Sequence, residues 1–267
     1  MSSVQTQPVG SLLRDWRKRR HLSQLDLACD ADISARHLSF LETGRSLPSR
    51  EMLLHLAEQL EIPLRERNSL LVAAGYAPVF QERPLGDPAL RAARNIIDLV
   101  LAGHEPYPAL AIDRHWSLIA SNRTVPFMIA GVDASLLKPP VNVLRLSLHP
   151  GGLAPRIANL AEWRSHLLTR LSRQIDVSAD PVLAQLLTEL NGYSVTGENK
   201  YDPAANKDYA GVAVPFQFVT ESGILSFLST TTVFGTPVDI TLSELALESF
   251  FPANAATADA LRRMVSK

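Results

Sequence analysis

The feature that most constrains this chain is a pair of short helical patterns separated by a tight turn, within residues 23–44. Apolar residues recur at helical spacing on both sides of the turn, which indicates two helices that share one small core. Ser23 and Asp26 match the capping box of a helix start, and Ser34 can cap the second helix. Gly44 supplies the left-handed residue that ends it. The pattern predicts a helix-turn-helix, for which duplex DNA is the first partner to consider.

Three further helical patterns flank this pair. The segment before it ends in the basic run at residues 17–20, where the dipole of a helix favours cations. Ser49 can cap a following helix, and Pro63 can open a last one that ends at Gly75. Together the five patterns predict an all-α domain at residues 1–80.

Composition limits what else the chain can be. With 267 residues, of which 46% are hydrophobic, it can bury two modest cores. The formal net charge of -1 does not itself indicate nucleic acid, so the DNA prediction depends on local charge and motif. Cys29 is the only cysteine, interpreted as a small buried thiol, and it excludes an internal disulfide. We expect a cytoplasmic protein with no membrane insertion, since the sequence has no leader-like start and no apolar run of about 18 residues.

A second domain follows a polar stretch that is broken by Pro and Gly. This stretch, residues 81–88, is interpreted as a linker, and residues 89–267 as the second domain. Its patterns predict an opening helix, a hairpin at residues 108–120, further helices, and a second hairpin at residues 211–229.

The end of the chain is predicted to add one strand and one helix. Residues 238–240 are interpreted as a final strand, and Thr241 with Glu244 as a capping box that opens a helix toward Phe250 and Phe251. A strand pair, helices and then a three-stranded meander are typical of an α+β domain. We expect an antiparallel sheet covered by helices, an arrangement that can enclose a pocket.

Residues 9–80 resemble a Cro/CI-type helix-turn-helix of the xenobiotic-response-element (XRE) class, which has a five-helix lambda-repressor-like fold. The stretches 34–52 and 63–68 further resemble the MmyB-like regulators within that class. Where this class usually has Gly in the turn, the chain has Asp32, so we expect a slightly strained left-handed turn.

The second domain resembles the MmyB-like ligand-binding domain, which is PAS-like. The resemblance is carried by residues 116–122, 144–153 and 227–245. It implies a transcription regulator that binds a small apolar ligand, with fatty acids as the leading candidates. It implies no required cofactor and no metal.

For the first domain, the resemblance implies that the second helix of the motif lies in the major groove, with its first residues at the base edges. Arg36 can then donate two hydrogen bonds to guanine, and the Ala35 methyl can meet a thymine methyl. Basic residues nearby are expected to bind phosphates, and His37 to pack or to face a phosphate. A homodimer on two half-sites of operator DNA is expected. The predicted DNA-contacting residues are Gln24, Ser34, Ala35, Arg36, His37, Ser39, Arg45, Arg17, Lys18 and Arg19.

A fatty acid needs an apolar lining for its tail and a charged or hydrogen-bonding partner for its carboxylate. The aromatic residues that we expect to line the pocket are Trp116, Phe127, Phe216, Phe227 and Phe234. The basic residues that we expect at its head group are Arg145, His149 and Arg156.

Two other classes of function remain to be compared. The sequence has no metalloprotease, nucleophile-elbow, P-loop or dinucleotide-binding motif, so we do not expect an enzyme. A DNA-binding adaptor whose second domain binds a protein is the alternative, and it predicts a sheet whose concave side is completely filled.

Overall fold

The computed structural model describes residues 7–194, 213–221 and 223–265. These residues divide into two compact units. The first comprises the chain up to Arg83 with Asp176–Ser178 and Pro237–Ser243, and the second comprises the rest. The division at Arg83 lies within the stretch interpreted as a linker, and the limits of the two domains stay a prediction.

In the described part of the first unit, residues 7–83 form five α-helices, which confirms the predicted all-α helix-turn-helix region. Their core is made of completely buried aliphatic side chains, such as Leu13, Leu38 and Leu56. The helices are α1 (Val9–Arg19), α2 (Gln24–Asp30), α3 (Ala35–Glu42), α4 (Arg50–Gln59) and α5 (Leu64–Ala73).

The helix ends of the motif follow their local sequence signals. Ser23 and Asp26 form the predicted capping box at the start of α2, and the Ser34 hydroxyl accepts a hydrogen bond from the backbone N–H of His37. Asp32 and Gly44 have φ angles of 50° and 73°, so both adopt the expected left-handed conformation. Cys29 is exposed on α2, so its interpretation as a buried thiol is wrong.

The strands among the described residues all lie in the second unit. Its helices and strands combine into the predicted α+β arrangement. In chain order the remaining α-helices and strands are α6 (Arg91–Gly103), β1 (Ala109–Ile112), β2 (Leu118–Ser121), α7 (Val125–Met128), α8 (Val143–Leu148), α9 (Leu160–Ser178), α10 (Pro181–Asn191), β3 (Phe216–Thr220), β4 (Gly223–Val233), α11 (Ile240–Ser243), β5 (Ala246–Pro252) and α12 (Ala255–Val265). Of these, α11 and the last three residues of α9 belong to the first unit.

Within the described residues, five strands form one sheet in the order β2-β1-β5-β4-β3. All neighbouring strands are antiparallel, and β5 joins the hairpin β1–β2 to the hairpin β3–β4. Glu248 of β5 is paired with Leu110 on one side and with Thr231 on the other. Paired residues in adjacent strands point to the same face, so these three side chains share one face of the sheet.

The end of the chain differs from the prediction. Residues 238–240 are not a strand, because Asp239 makes only an isolated bridge and Ile240 begins α11. The predicted helix from Thr241 to Phe251 is also wrong. The Thr241 backbone N–H donates to the carboxylate of Asp239 (2.9 Å), so Asp239 takes the capping role predicted for Thr241, and the short helix ends at Ser243. Residues 246–252 instead form β5. Of the predicted second hairpin, residues 211 and 212 lie outside the described residues.

Candidate functional site

Two of the basic residues predicted to meet DNA are Arg36, on the exposed side of α3, and Arg45, which follows the end of that helix. The guanidinium groups of Arg36 and Arg45 lie 5.3 Å and 5.8 Å from the ring centroid of Phe40. Both arginines are exposed, and a cation over an aromatic face is held in place without losing its charge. Phe40 therefore fixes two cations on one surface, where they can contact bases or phosphates.

Beneath this surface lies a buried ion pair between two helices. Arg17 of α1 donates from Nε and Nη2 to the two carboxylate oxygens of Glu42 at 2.6 Å and 2.8 Å. The side-chain amide of Gln24 also donates to Glu42, at 2.8 Å. Burial opposes the charged form of Glu42, but the hydrogen bonds from Arg17 and Gln24 outweigh it and keep the pKa of Glu42 below its ordinary value.

This ion pair corrects one predicted DNA contact. Arg17 is buried, and its remaining guanidinium nitrogen donates to the carbonyl of Leu22 (2.8 Å). It is therefore committed to the interior of the unit and cannot serve as a phosphate contact. The neighbouring Lys18 and Arg19 are exposed, and Arg19 lies over the ring of Trp16.

The other predicted contacts lie at or near the start of α2 and α3. Ser34 is exposed but acts as the N-cap of α3, whereas Ala35, His37 and Ser39 are partly buried. Gln24 is partly buried and, as described above, its side chain is bound to Glu42. Contact of these residues with DNA stays a prediction.

The second unit contains an apolar cavity of about 100 Å³ between the sheet and helices α7, α8 and α9. Most of its wall is aliphatic or aromatic. The lining residues are Pro108, Leu110, Trp116, Leu118, Val125, Met128, Ile129, Val143, Leu144, Leu146, Ser147, Leu153, Trp163, Leu167, Arg170, Phe216, Glu248 and Phe250.

Among the described lining residues, Arg170 and Glu248 are the charged ones. The Arg170 guanidinium donates to the Glu248 carboxylate and, at 2.8 Å, to the Thr231 hydroxyl, which itself donates to Glu248 at 3.0 Å. Arg170 also lies over the Trp116 ring, 4.7 Å from its centroid. The Trp116 indole N–H donates to the side chain of Gln174 (2.7 Å), which orients the ring beneath the arginine.

Two of the five aromatic residues predicted to line the pocket do so: Trp116 and Phe216. Phe127 does not, because it is 54% exposed on the outer side of α7. Phe227 is completely buried in the core and lies outside the cavity wall. Phe234 packs against a separate small cluster beside α6. The predictions for these last three residues are therefore wrong.

None of the three basic residues predicted at the head group lines the cavity. Arg145 is bound to Glu189 on the surface (2.7 Å and 2.8 Å), and this pairing holds the pKa of the Glu189 carboxylate below its ordinary value. Arg156 donates to the carbonyls of Met128 and Ala130 and stacks on a buried phenylalanine.

The third of these residues, His149, accepts the backbone N–H of Gly151 (2.9 Å) and packs edge-on against Tyr193. Like the two arginines, it stabilises the surrounding fold. The residues that sequence reasoning missed are Arg170 and Glu248, which lie 78 positions apart and carry no local motif. Because residues 241–251 were predicted to be a helix, no signal in the sequence pointed to Glu248 as a buried residue of a strand.

Two further observations concern metal binding and membrane spanning. In the part of the chain that the structure describes, no group of three or more His, Cys, Asp or Glu side chains is placed to hold a metal ion. Within the same residues, no helix has the length and apolar character needed to span a membrane.

Residues 93–264 match the family described as "MmyB-like transcription regulator ligand binding domain", and residues 13–67 match the family described as "Helix-turn-helix". The ImmF control region 10 kDa protein of Bacillus phage phi105 is 38% identical over 56 residues, which are 21% of this chain and 62% of the phage protein. The match thus spans less than two thirds of that relative. A solved structure titled "Structure of an RNA-binding Light-Oxygen-Voltage Receptor" is 11% identical with a TM-score of 0.24, over 95% of this chain and 62% of that chain. A TM-score of 0.24 does not indicate a shared fold.

Proposed function

We propose that this chain, which belongs to the family of MmyB-like transcription regulators, is a sequence-specific regulator that senses a small apolar molecule. The match to this family covers the ligand-binding domain. A helix-turn-helix together with this domain makes the protein a DNA-binding transcription regulator with a ligand-binding domain. We further propose that the second domain is PAS-like and that its ligand has a fatty-acid-like chain. We also propose that the protein is cytoplasmic and binds operator DNA as a homodimer.

The observation that carries the ligand proposal is the apolar cavity between the sheet and its helices. Its volume of about 100 Å³ is smaller than the cavity of about 150 Å³ that holds benzene in an engineered protein. A short apolar chain fits this space, and a longer one requires the lining to separate. The adaptor alternative predicts a filled sheet, so the cavity favours a small molecule.

The observation that supports DNA binding is the exposed pair of arginines around Phe40. With α3 in the major groove, Arg36 would meet base edges and Arg45 a phosphate. Replacing Arg36 with Ala should relax base preference at one position by about 1–3 kcal/mol. Arg263→Ala, an exposed arginine on α12, is the matched control. Selection of binding sites from random duplexes measures both, and an unchanged preference would show that Arg36 does not contact bases.

Regulation follows if the ligand binds two arrangements of the protein with different affinity. The free energy of DNA binding can then change only by the difference between the ligand's binding free energies for the two arrangements, because the coupling between two sites is reciprocal. The test is to measure operator affinity with and without extracted cellular lipid, using the sites selected above. Identical affinities at saturating ligand would remove the switch. Native mass spectrometry of the purified protein reports a retained small molecule and the number of subunits together.

A further inference from the structure

The polar end of the cavity in the second unit has no net charge, although it contains two charged groups. Arg170 and Glu248 are bound to each other and to the Thr231 hydroxyl. Glu248 is 5% exposed, and the other lining residues that the structure describes are uncharged. A ligand that enters the cavity therefore meets a cation that is already neutralised.

The ion pair lies at the end of the cavity that leads outward. Arg170 lines both the cavity and an adjoining outer groove, whose wall also contains His166 and Arg173. Elsewhere the wall of the cavity is mostly apolar and includes side chains such as Met128 and Leu144. An amphiphilic ligand would therefore direct its apolar chain toward α7 and α8 and its head group toward the ion pair, because apolar groups leave water most readily.

Resting on the proposed small-molecule function, we propose that Glu248 is a specificity-determining residue that makes this site select an uncharged head group. The ligands that it favours are apolar molecules ending in an alcohol, ester or amide. Those that it disfavours are carboxylates, including ionised fatty acids, and ammonium compounds.

The reason is competition within a site whose wall is mostly apolar. A carboxylate that binds Arg170 has to displace Glu248, which leaves two negative groups close together, and like charges in such a place oppose each other strongly. An ammonium group has to displace Arg170 from Glu248 and meets the same difficulty with the opposite sign. A hydroxyl or carbonyl keeps the ion pair intact, since a guanidinium has five N–H donors and a carboxylate accepts about four hydrogen bonds.

The experiment uses the full chain and three probes that share an apolar chain of six carbons and differ in their head group: 1-hexanol, hexanoate and hexylammonium. Trp116 and Trp163 line the cavity, so their fluorescence reports occupation directly. Two variants change the charge in opposite directions: the isosteric Glu248→Gln, and Arg170→Gln, which has a shorter neutral side chain. Glu189→Gln removes a surface carboxylate away from the cavity and is the control.

In the wild-type protein, 1-hexanol should bind more tightly than either ion. Glu248→Gln should raise the affinity for hexanoate about tenfold or more, and Arg170→Gln should do the same for hexylammonium, because each variant leaves one uncompensated charge at the cavity for the ligand to neutralise. Glu189→Gln should change neither. The two variants make separate predictions, so either one decides the proposal if the other does not fold.

The proposal is overturned if Glu248→Gln and Arg170→Gln leave the order and ratios of the three affinities as in the wild type. It is also overturned if wild-type protein binds hexanoate at least as tightly as 1-hexanol. In both cases an apolar ligand still binds and the proposed function stands. If none of the three probes alters the fluorescence of any form, the proposed function itself fails, and this inference with it.

Discussion

Replacing Glu42 with Gln should destabilise the first unit by about 3 kcal/mol. Glu42 is 4% exposed and accepts three hydrogen bonds, two from Arg17 and one from Gln24. Removing one partner of a buried ion pair typically costs about 3–5 kcal/mol, because the other charge stays buried and unpaired. We take the lower end since Arg17 keeps its hydrogen bond to the Leu22 carbonyl.

Amide hydrogen exchange of the full-length protein, followed by mass spectrometry, measures this loss. In the variant, the equilibrium constant for opening of the first unit should rise on the order of a hundredfold, since about 1.4 kcal/mol corresponds to a factor of ten. The amides in peptides from α1 to α5 should exchange faster by the same factor. Peptides from the second unit are an internal control. Glu58→Gln, an exposed carboxylate on α4, should change protection by less than about 0.5 kcal/mol.

A double variant separates the charge from the packing. Replacing Arg17 with Met and Glu42 with Leu removes both charges and keeps apolar volume, and such replacements are often neutral. The double variant should therefore exchange more slowly than Glu42→Gln alone. If Glu42→Gln is as stable as wild type, or if the double variant loses as much as the single one, the ion pair does not hold these helices together as we infer.

Three further predictions concern other parts of the molecule. An alanine at Gly10 would bring its Cβ to 2.3 Å from the Leu41 carbonyl oxygen, so Gly10→Ala should cost about 1–3 kcal/mol in thermal unfolding, whereas Gly103→Ala, with open space around it, should not destabilise. Burial opposes ionisation of Asp180, but hydrogen bonds from His115 and from a backbone N–H keep its pKa below the ordinary value. The ionised carboxylate therefore stabilises the fold above the unfolded pKa of about 3.9, and this stabilisation is lost as pH falls through the lower folded pKa. In an acid titration followed by circular dichroism, Asp180→Asn should abolish the loss of stability that this carboxylate causes. The pKa of Glu42 is also lowered in the folded protein, so its contribution to stability is likewise lost at low pH. The difference in hydrogen exchange between wild type and Glu42→Gln should therefore shrink as pH falls below about 4, and a difference that grows there would contradict this prediction.

The first unit was predictable because its signals are local. Ser23, Asp26 and Ser34 cap helices through backbone groups three residues away, and Asp32 takes its left-handed turn within the same short stretch. The sequence does not show how a long side chain is used at a distance. Arg17 belongs to a basic run that suggests phosphate binding, yet a carboxylate 25 residues later draws it into the core.

The second unit shows the opposite case. Strand β5 lies in the middle of the sheet, and its consecutive residues Leu247, Glu248 and Ser249 are all buried, so the alternation that identifies a half-exposed strand is absent. Glu is also rare in strands, and its partner Arg170 is on a helix far earlier in the chain. The prediction of which aromatic residues line the cavity failed for a similar reason. Residue type alone does not distinguish Phe216, in the cavity wall, from Phe227, which is completely buried in the core.

The position of β5 bears on how this protein is made. The two hairpins of the sheet share no ladder, and the strand that links them is synthesised after both. Until the ribosome has released residues 246–252, each hairpin has an unpaired edge, which is a surface prone to intermolecular association. A chaperone that shields nascent chains would therefore act in the interval between translation of β4 and of β5, and until that interval ends the cavity lacks the part of its wall that Glu248 and Phe250 form.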